Sequence, residues 1–242
     1  MSSLKDQVVC ITGASRGLGK SMAEAFHAEG AKLVLAARTM GELEDLARRL
    51  EPAIAVQTDV RSVSELNALV DAAVGEFGRL DVMINNAGLA VYGPFLETTE
   101  DDFDRMMATN VKGVYFGSQA ALRVMKMQRS GLIINISSIA GKLHLPCESA
   151  YNASKWAVNG LTGTLRLEAQ RYGVKVSCVC PGGIDTPFWK EMDFYPFPTD
   201  KLDPGRDFMK PEDIAQTVVH LAQGAETYVL PEVVMVPLLP QM

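Results

Sequence analysis

Short, almost unbroken apolar runs alternate with longer amphipathic stretches along the whole chain, and this alternation constrains the fold more than any other feature. The runs are rich in β-branched residues and fall at 7–12 (Gln-Val-Val-Cys-Ile-Thr), 32–36, 53–58, 80–84, 131–137, 174–180 and about 228–236. Helical periodicity fills 17–29, 41–51, 62–77, 99–129, 149–172 and 211–223. A run with no polar alternation predicts a strand covered on both faces, and strands separated by helices predict a parallel sheet. Seven such runs predict one doubly wound α/β domain over 1–242, a seven-stranded parallel sheet flanked by helices. Ser62…Glu65 and Thr99…Asp102 read as capping boxes opening two of the helices. Only 185–210, rich in Pro, Asp and aromatics, breaks the rhythm, and a stretch of that length without periodicity predicts a functional loop.

Charge and cysteine usage exclude several classes of partner. Lys plus Arg is 23 against 29 Asp plus Glu, a net charge of −6, and the only adjacent basic pair is Arg48–Arg49. Phosphate backbones require a basic face, so nucleic acid is excluded as the main partner. No apolar run approaches the ~20 residues of a membrane span. The start, Met-Ser-Ser-Leu-Lys-Asp, has no signal-peptide layout, which gives a cytoplasmic expectation. Cys10, Cys178 and Cys180 lie within strand runs and Cys147 in a loop; His27, His144 and His220 are scattered. No set has zinc spacing, so buried reduced thiols and no metal site are expected.

Small residues cluster where the strands end. Residues 12–19 read Thr-Gly-Ala-Ser-Arg-Gly-Leu-Gly, after the first strand and opening the first helix. Gly13, Gly17 and Gly19 allow a tight turn and close approach to a diphosphate, whose charge a helix N-terminus favours. Gly19-Lys20-Ser21 also resembles the end of an NTPase phosphate loop, with Asp59 as its metal-binding acid, but Ala14 stands where that motif needs glycine. Asn85-Asn86-Ala87-Gly88 follows the fourth strand and Ser137-Ser138 ends the fifth. Tyr151-Asn152-Ala153-Ser154-Lys155 opens the next helix, and the i,i+4 spacing puts Tyr151 and Lys155 on one face. Y-x-x-x-K alone is a common pattern; its order after the other motifs carries the information.

With T-G-x-x-x-G-x-G, N-N-A-G, the strand-end serine, Y-x-x-x-K and Pro181-Gly182 in sequence, the chain resembles the single-domain branch of the short-chain dehydrogenase/reductase family over about 5–190. The resemblance implies a Rossmann domain and a catalytic group of Asn110, Ser138, Tyr151 and Lys155. Asn110, in Thr109-Asn110-Val111, matches that family's helix-kink asparagine. It also implies cofactor contacts from Gly13, Ser15, Arg16, Gly17, Leu18, Gly19, Asn86, Ala87, Gly88, Tyr151, Lys155, Pro181, Gly182, Ile184 and Thr186, and a homodimer or homotetramer. The C-terminus departs from the family pattern, with Tyr-Val-Leu-Pro-Glu-Val-Val-Met-Val-Pro in place of a glycine-containing strand. In the implied chemistry Lys155 lowers the Tyr151 pKa, Tyr151 exchanges a proton with a carbonyl or alcohol oxygen, and Ser138 holds that oxygen. Asn110 positions a water on the proton path.

Cofactor choice follows from the end of the second strand. An acid there would accept the ribose hydroxyls of NAD, but the sequence reads Ala36-Ala37-Arg38-Thr39. Arg38 together with Arg16 suits the 2′-phosphate of NADP(H) over NAD(H), with Asp59 and Val60 beside the adenine. Three function classes stay open: an NADP-dependent carbonyl reductase or alcohol dehydrogenase, a catalytically silent dinucleotide-binding protein, and an NTPase. Within the first, a 3-oxoacyl thioester reductase is the alternative, with Arg129 and Arg171 meeting an acidic carrier. Phe188, Trp189, Phe194, Tyr195, Phe197 and Met209 make 185–210 a candidate lid. With Leu143, His144 and Leu145, it predicts a pocket for an apolar ketone.

Overall fold

Aliphatic runs too apolar to face water on either side become the strands of one sheet. The computed structural model describes residues 3–189, 194–196, 202–224 and 227–238. The strands are β1 (Val8–Thr12), β2 (Lys32–Ala37), β3 (Ala53–Gln57), β4 (Val82–Asn85), β5 (Gly131–Ile136), β6 (Val174–Pro181) and β7 (Glu232–Met235). They lie in the order β3-β2-β1-β4-β5-β6-β7, each neighbour parallel to the next. The expected seven-stranded parallel sheet is therefore the one observed. Its order reverses between β1 and β4, and at such a switch point the carboxyl ends of the strands open a crevice for a ligand.

The helices are α1 (Gly17–Ala28), α2 (Met40–Arg49), α3 (Val63–Phe77), α4 (Glu100–Met106), α5 (Gly113–Gln128), α6 (Ser149–Ala169), α7 (Pro204–Asp207) and α8 (Pro211–Ala222). Side chains alternate across each strand, so Val9 and Ile11 join Phe26, Leu43, Leu46, Ile214 and Val218 in the core under α1, α2 and α8. Val8 and Cys10 join Leu69, Val70, Ala120, Met125 and Ala169 under α3, α5 and α6. Each large apolar side chain buried this way contributes roughly 1.5–3 kcal/mol. Ser62 Oγ accepts from the N–H of Glu65 at 3.3 Å, and Thr99 Oγ1 from that of Asp102 at 3.1 Å, the two caps read from the sequence.

Two boundaries differ from the sequence reading. The single helix expected over 99–129 is divided by a π-helical segment, Met107–Lys112, between α4 and α5. A π turn absorbs one residue more than the α repeat, so apolar periodicity alone joins the two helices. The last strand is shorter than 228–236 because Pro231, which has no N–H to donate, precedes it. At the 185–210 loop, Ile184 and Met209 form an isolated parallel bridge that closes the base. Phe197 and Pro198 of the candidate lid lie outside the described residues. Cys10, Cys147, Cys178 and Cys180 are free thiols, and among the described residues no helix is long and apolar enough to cross a membrane.

Candidate active site

The turn between β1 and α1 is built from backbone too close to its neighbours to carry side chains. Gly13 has φ +66°, and a Cβ there would stand 2.9 Å from the Ala87 Cα; one at Gly19 would stand 2.0 Å from the Gly13 carbonyl oxygen. The turn is pinned from below by Thr12, whose Oγ1 accepts the N–H groups of Asn86 at 3.0 Å and Ala87 at 3.1 Å. Asn86 answers by donating from Nδ2 to the carbonyl oxygens of Thr12 at 2.9 Å and Gly13 at 3.2 Å. The first turn of α1, with its exposed N–H groups, thus faces the same crevice as the end of β4.

The catalytic candidates meet at the other end of this crevice. Ser138 follows β5 by two residues and caps a 3₁₀ turn, its Oγ accepting from the Ala140 N–H at 3.1 Å. α6 is tied to that turn by Asn159 Nδ2, which donates to the Gly141 carbonyl at 2.8 Å, and by Asn152 Nδ2, which donates to the Leu143 carbonyl at 2.8 Å. These ties present Tyr151 and Lys155, on the first two turns of α6, beneath Ser138. Burial pushes the Tyr151 phenol well above its ordinary range, with the hydrogen bond from Ser138 opposing and the nearby Glu148 adding to the rise. Lys155 Nζ lies 5.5 Å from the Tyr151 ring centre and donates to the Ile136 carbonyl at 3.2 Å. Desolvation lowers the Lys155 amine to about 8, the thiols of Cys178 and Cys180 holding it up in part. The lowered Tyr151 pKa expected from the sequence is thus not found in the free chain: both groups are buried, and burial works against the charge of each.

One cleft of ≈ 1050 Å³ gathers nearly every residue expected from the sequence. Gly13, Ser15, Arg16, Gly17, Leu18, Gly19, Arg38, Asp59 and Val60 line one end; Asn86, Ala87, Gly88, Ser138, Tyr151, Lys155, Pro181, Gly182, Ile184 and Thr186 line the rest. Asn110 does not reach it. On the π-helical segment and fully buried, it accepts from the Leu89 N–H at 2.9 Å and donates to the Leu89 carbonyl at 2.8 Å and to Ser154 Oγ at 3.0 Å. Its side chain fixes the wall behind the cleft. Of the expected pocket residues, Leu143 and Leu145 line the cleft, whereas His144 stacks on Trp156 at 5.6 Å. Asp59 is held by Arg61, and that guanidinium keeps its carboxyl below the usual range.

The groups expected for a dinucleotide fit the cleft. A helix N-terminus faces a diphosphate position, Arg38 stands beyond β2, and among the described residues the ammonium of Lys155 spends one of its three donors on Ile136. Sequence reasoning missed Tyr92 and Glu148, which also line the cleft. Tyr92 meets the edge of Tyr151 at 5.5 Å, and no local motif marks it. Trp189 closes over Tyr92 at 6.2 Å and Phe208 at 5.0 Å, its Nε1 donating to the Ile184 carbonyl at 2.9 Å.

Comparison with known proteins gives concordant results. A family model described as short chain dehydrogenase matches residues 7–194. An uncharacterized oxidoreductase of Staphylococcus saprophyticus is 35% identical over 222 residues, 90% of each chain. Among solved structures, a metagenomic short-chain oxidoreductase in complex with NADP superposes with a TM-score of 0.83 at 32% identity, covering 99% of this chain and 100% of that one. An alcohol dehydrogenase from the archaeon Thermococcus sibiricus, complexed with 5-hydroxy-NADP, gives 0.87 at 28% identity over 98% and 99%.

Proposed function

Because the chain belongs to the short-chain dehydrogenase/reductase family, we propose that it is an NADP(H)-dependent oxidoreductase that interconverts a largely apolar ketone and its alcohol. The observation that carries this reading is the continuity of one cleft from the glycine turn and Arg38 to Ser138, Tyr151 and Lys155. A bound nicotinamide dinucleotide supplies the hydride. Gly13 to Gly19 and the first turn of α1 hold its diphosphate, and Arg38 with Arg16 meets the 2′-phosphate. Lys155 holds the nicotinamide ribose and stabilises charge on the Tyr151 oxygen.

Tyr151 is the proton donor in the direction of reduction. Its raised pKa keeps the proton on the phenol until negative charge grows on the substrate oxygen, and Ser138 donates to that same oxygen. Asn110 is a positioning residue, since its amide acts through Leu89 and Ser154. Trp189 and Phe208 over the cleft support the reading of 185–210 as a lid that excludes water. Exposed Phe95 and Leu96 beside α4 support a homodimer or homotetramer.

Tyr151→Phe tests the assignment, because it keeps the ring packing and removes only the hydroxyl. NADPH-dependent ketone reduction is expected to fall about 10²–10⁴-fold, while NADPH affinity from nicotinamide fluorescence changes by no more than a few-fold. Near-normal turnover in that variant overturns the role of Tyr151. Wild-type protein that binds NADPH yet reduces no ketone or 3-oxo thioester overturns the enzyme reading itself.

A further inference from the structure

Glu148 sits three residues before Tyr151, at the start of α6, and lines the cleft. It is 7% exposed, and among the described residues nothing donates a hydrogen bond or offers a cation to its carboxyl; desolvation alone shifts it, up to about 7. Its charge is felt by Tyr92 and Tyr151, which belong to an apolar group with Leu89, Leu145 and Trp189. Its local hydrogen bonds are made by the backbone: the N–H donates to the Leu145 carbonyl at 3.4 Å, and the carbonyl accepts from the Asn152 N–H at 2.7 Å. Any side chain would serve that purpose. A buried carboxylate without a partner is costly, and the fold supplies no compensation. Its partner comes from the cleft it lines: water, or the molecule that displaces that water at the substrate end.

We propose that Glu148 is the polar anchor of the substrate pocket and selects carbonyl compounds whose apolar body carries a hydrogen-bond donor, an ammonium above all, over neutral ketones of the same size. The inference rests on the reductase reading and deepens it. The aromatic walls accept the body of such a substrate, Ser138 and Tyr151 hold its carbonyl oxygen, and Glu148 accepts from its donor. A cation at that position also cancels the repulsion that a charged Glu148 exerts on the oxyanion formed beside Tyr151. A substrate ending in a carboxylate is rejected for the same reason.

The test uses aryl ketones identical except for a terminal ammonium, hydroxyl, methyl or carboxylate group, assayed with NADPH. Calorimetry with an arylalkylamine and the matching arylalkanol reads binding independently of turnover. Urea midpoints check that Glu148→Gln and Glu148→Leu fold. Wild type is expected to prefer the ammonium ketone over the methyl ketone by about 10–100-fold in kcat/KM. Glu148→Gln removes most of that preference, retains the hydroxyl ketone within about threefold and speeds rather than slows the methyl ketone, because the charge beside Tyr151 is gone. Glu148→Leu loses both donors.

Amine binding to wild type tightens between pH 6 and about 7.5 as the carboxyl ionises, and is flat in Glu148→Gln. Tyr92 and Tyr151, the titratable groups facing it, stay protonated in this window, and Lys155, one turn further along α6, keeps its charge up to about 8. Equal losses for all four ketones in both variants, or a wild type indifferent to the terminal group, overturn the anchor while leaving the reductase reading intact. Amine binding that depends on Glu148, in a protein that reduces no ketone, overturns the reductase reading and upholds the anchor.

Discussion

Thr12→Val separates hydrogen bonding from packing at the floor of the cofactor cleft. Threonine and valine have nearly the same shape, so the exchange opens no cavity, and Thr12 is 1% exposed. What disappears is the oxygen that accepts the Asn86 N–H at 3.0 Å and the Ala87 N–H at 3.1 Å. An amide left without an acceptor costs about 1–3 kcal/mol when buried. Both amides stand beside the cleft and recover part of that from water, so the loss works out at roughly 2–4 kcal/mol. For a chain of 242 residues this corresponds to about 5–15 °C in Tm. Thr12→Ser keeps the acceptor and gives up one methyl group, about 1 kcal/mol. The expected order of stability is wild type, then serine, then valine, read as urea midpoints at a constant m value. Pure packing predicts the reverse order for the two variants. NADPH affinity follows the same ranking, because the Asn86–Ala87 turn lines the cleft. A valine variant as stable as wild type, or more stable than serine, refutes the claim that this hydroxyl holds the turn.

The fold was legible because strand and helix signals agreed at each step along the chain. β1, β2 and β5 are buried on both faces, so their sequences have no polar alternation, and Ser62 and Thr99 mark helix starts that the geometry reproduces. The break at Met107–Lys112 was not legible in the periodicity, since a π turn leaves no composition signature, and only the resemblance, through the helix-kink asparagine Asn110, pointed to it. At the site, residues in motifs were found because close backbone approach and paired side chains restrict which residue types fit, as at Gly13, Gly19, Tyr151 and Lys155. Glu148 and Tyr92 escaped because their importance lies in what surrounds them. A glutamate ahead of a helix reads as a solvated residue until its burial beside Tyr92, more than fifty positions away in sequence, is seen. Lys155 is the converse case. The sequence identified it, but the sense in which burial perturbs it needed the depth of β5, β6 and α6 around it.

Cofactor choice and the charge of Lys155 give the remaining expectations. Arg38→Leu is expected to lower kcat/KM for NADPH by about 10–100-fold with little effect on NADH, because a charge-assisted bond to phosphate is lost; equal losses with both cofactors mean that Arg38 does not meet the 2′-phosphate. The last expectation concerns pH. Burial lowers the Lys155 amine from 10.5 to about 8, so the free protein carries the ammonium below that pH and the neutral amine above it. A ribose hydroxyl and the reacting phenol oxygen gain more from the charged form, since charge-assisted hydrogen bonds are about twice as strong as neutral ones. NADPH affinity is therefore expected to weaken as pH rises through about 8, by about tenfold between pH 7 and 9.5. The 2′-phosphate does not contribute to that slope, because its second ionisation lies near 6 and is complete at the start of the window. Lys155→Met binds NADPH weakly at every pH and removes the slope. Fluorescence titration of both proteins across the window decides the matter, and wild-type affinity that is flat or rising, or a methionine variant with the same slope, shows that another group titrates there.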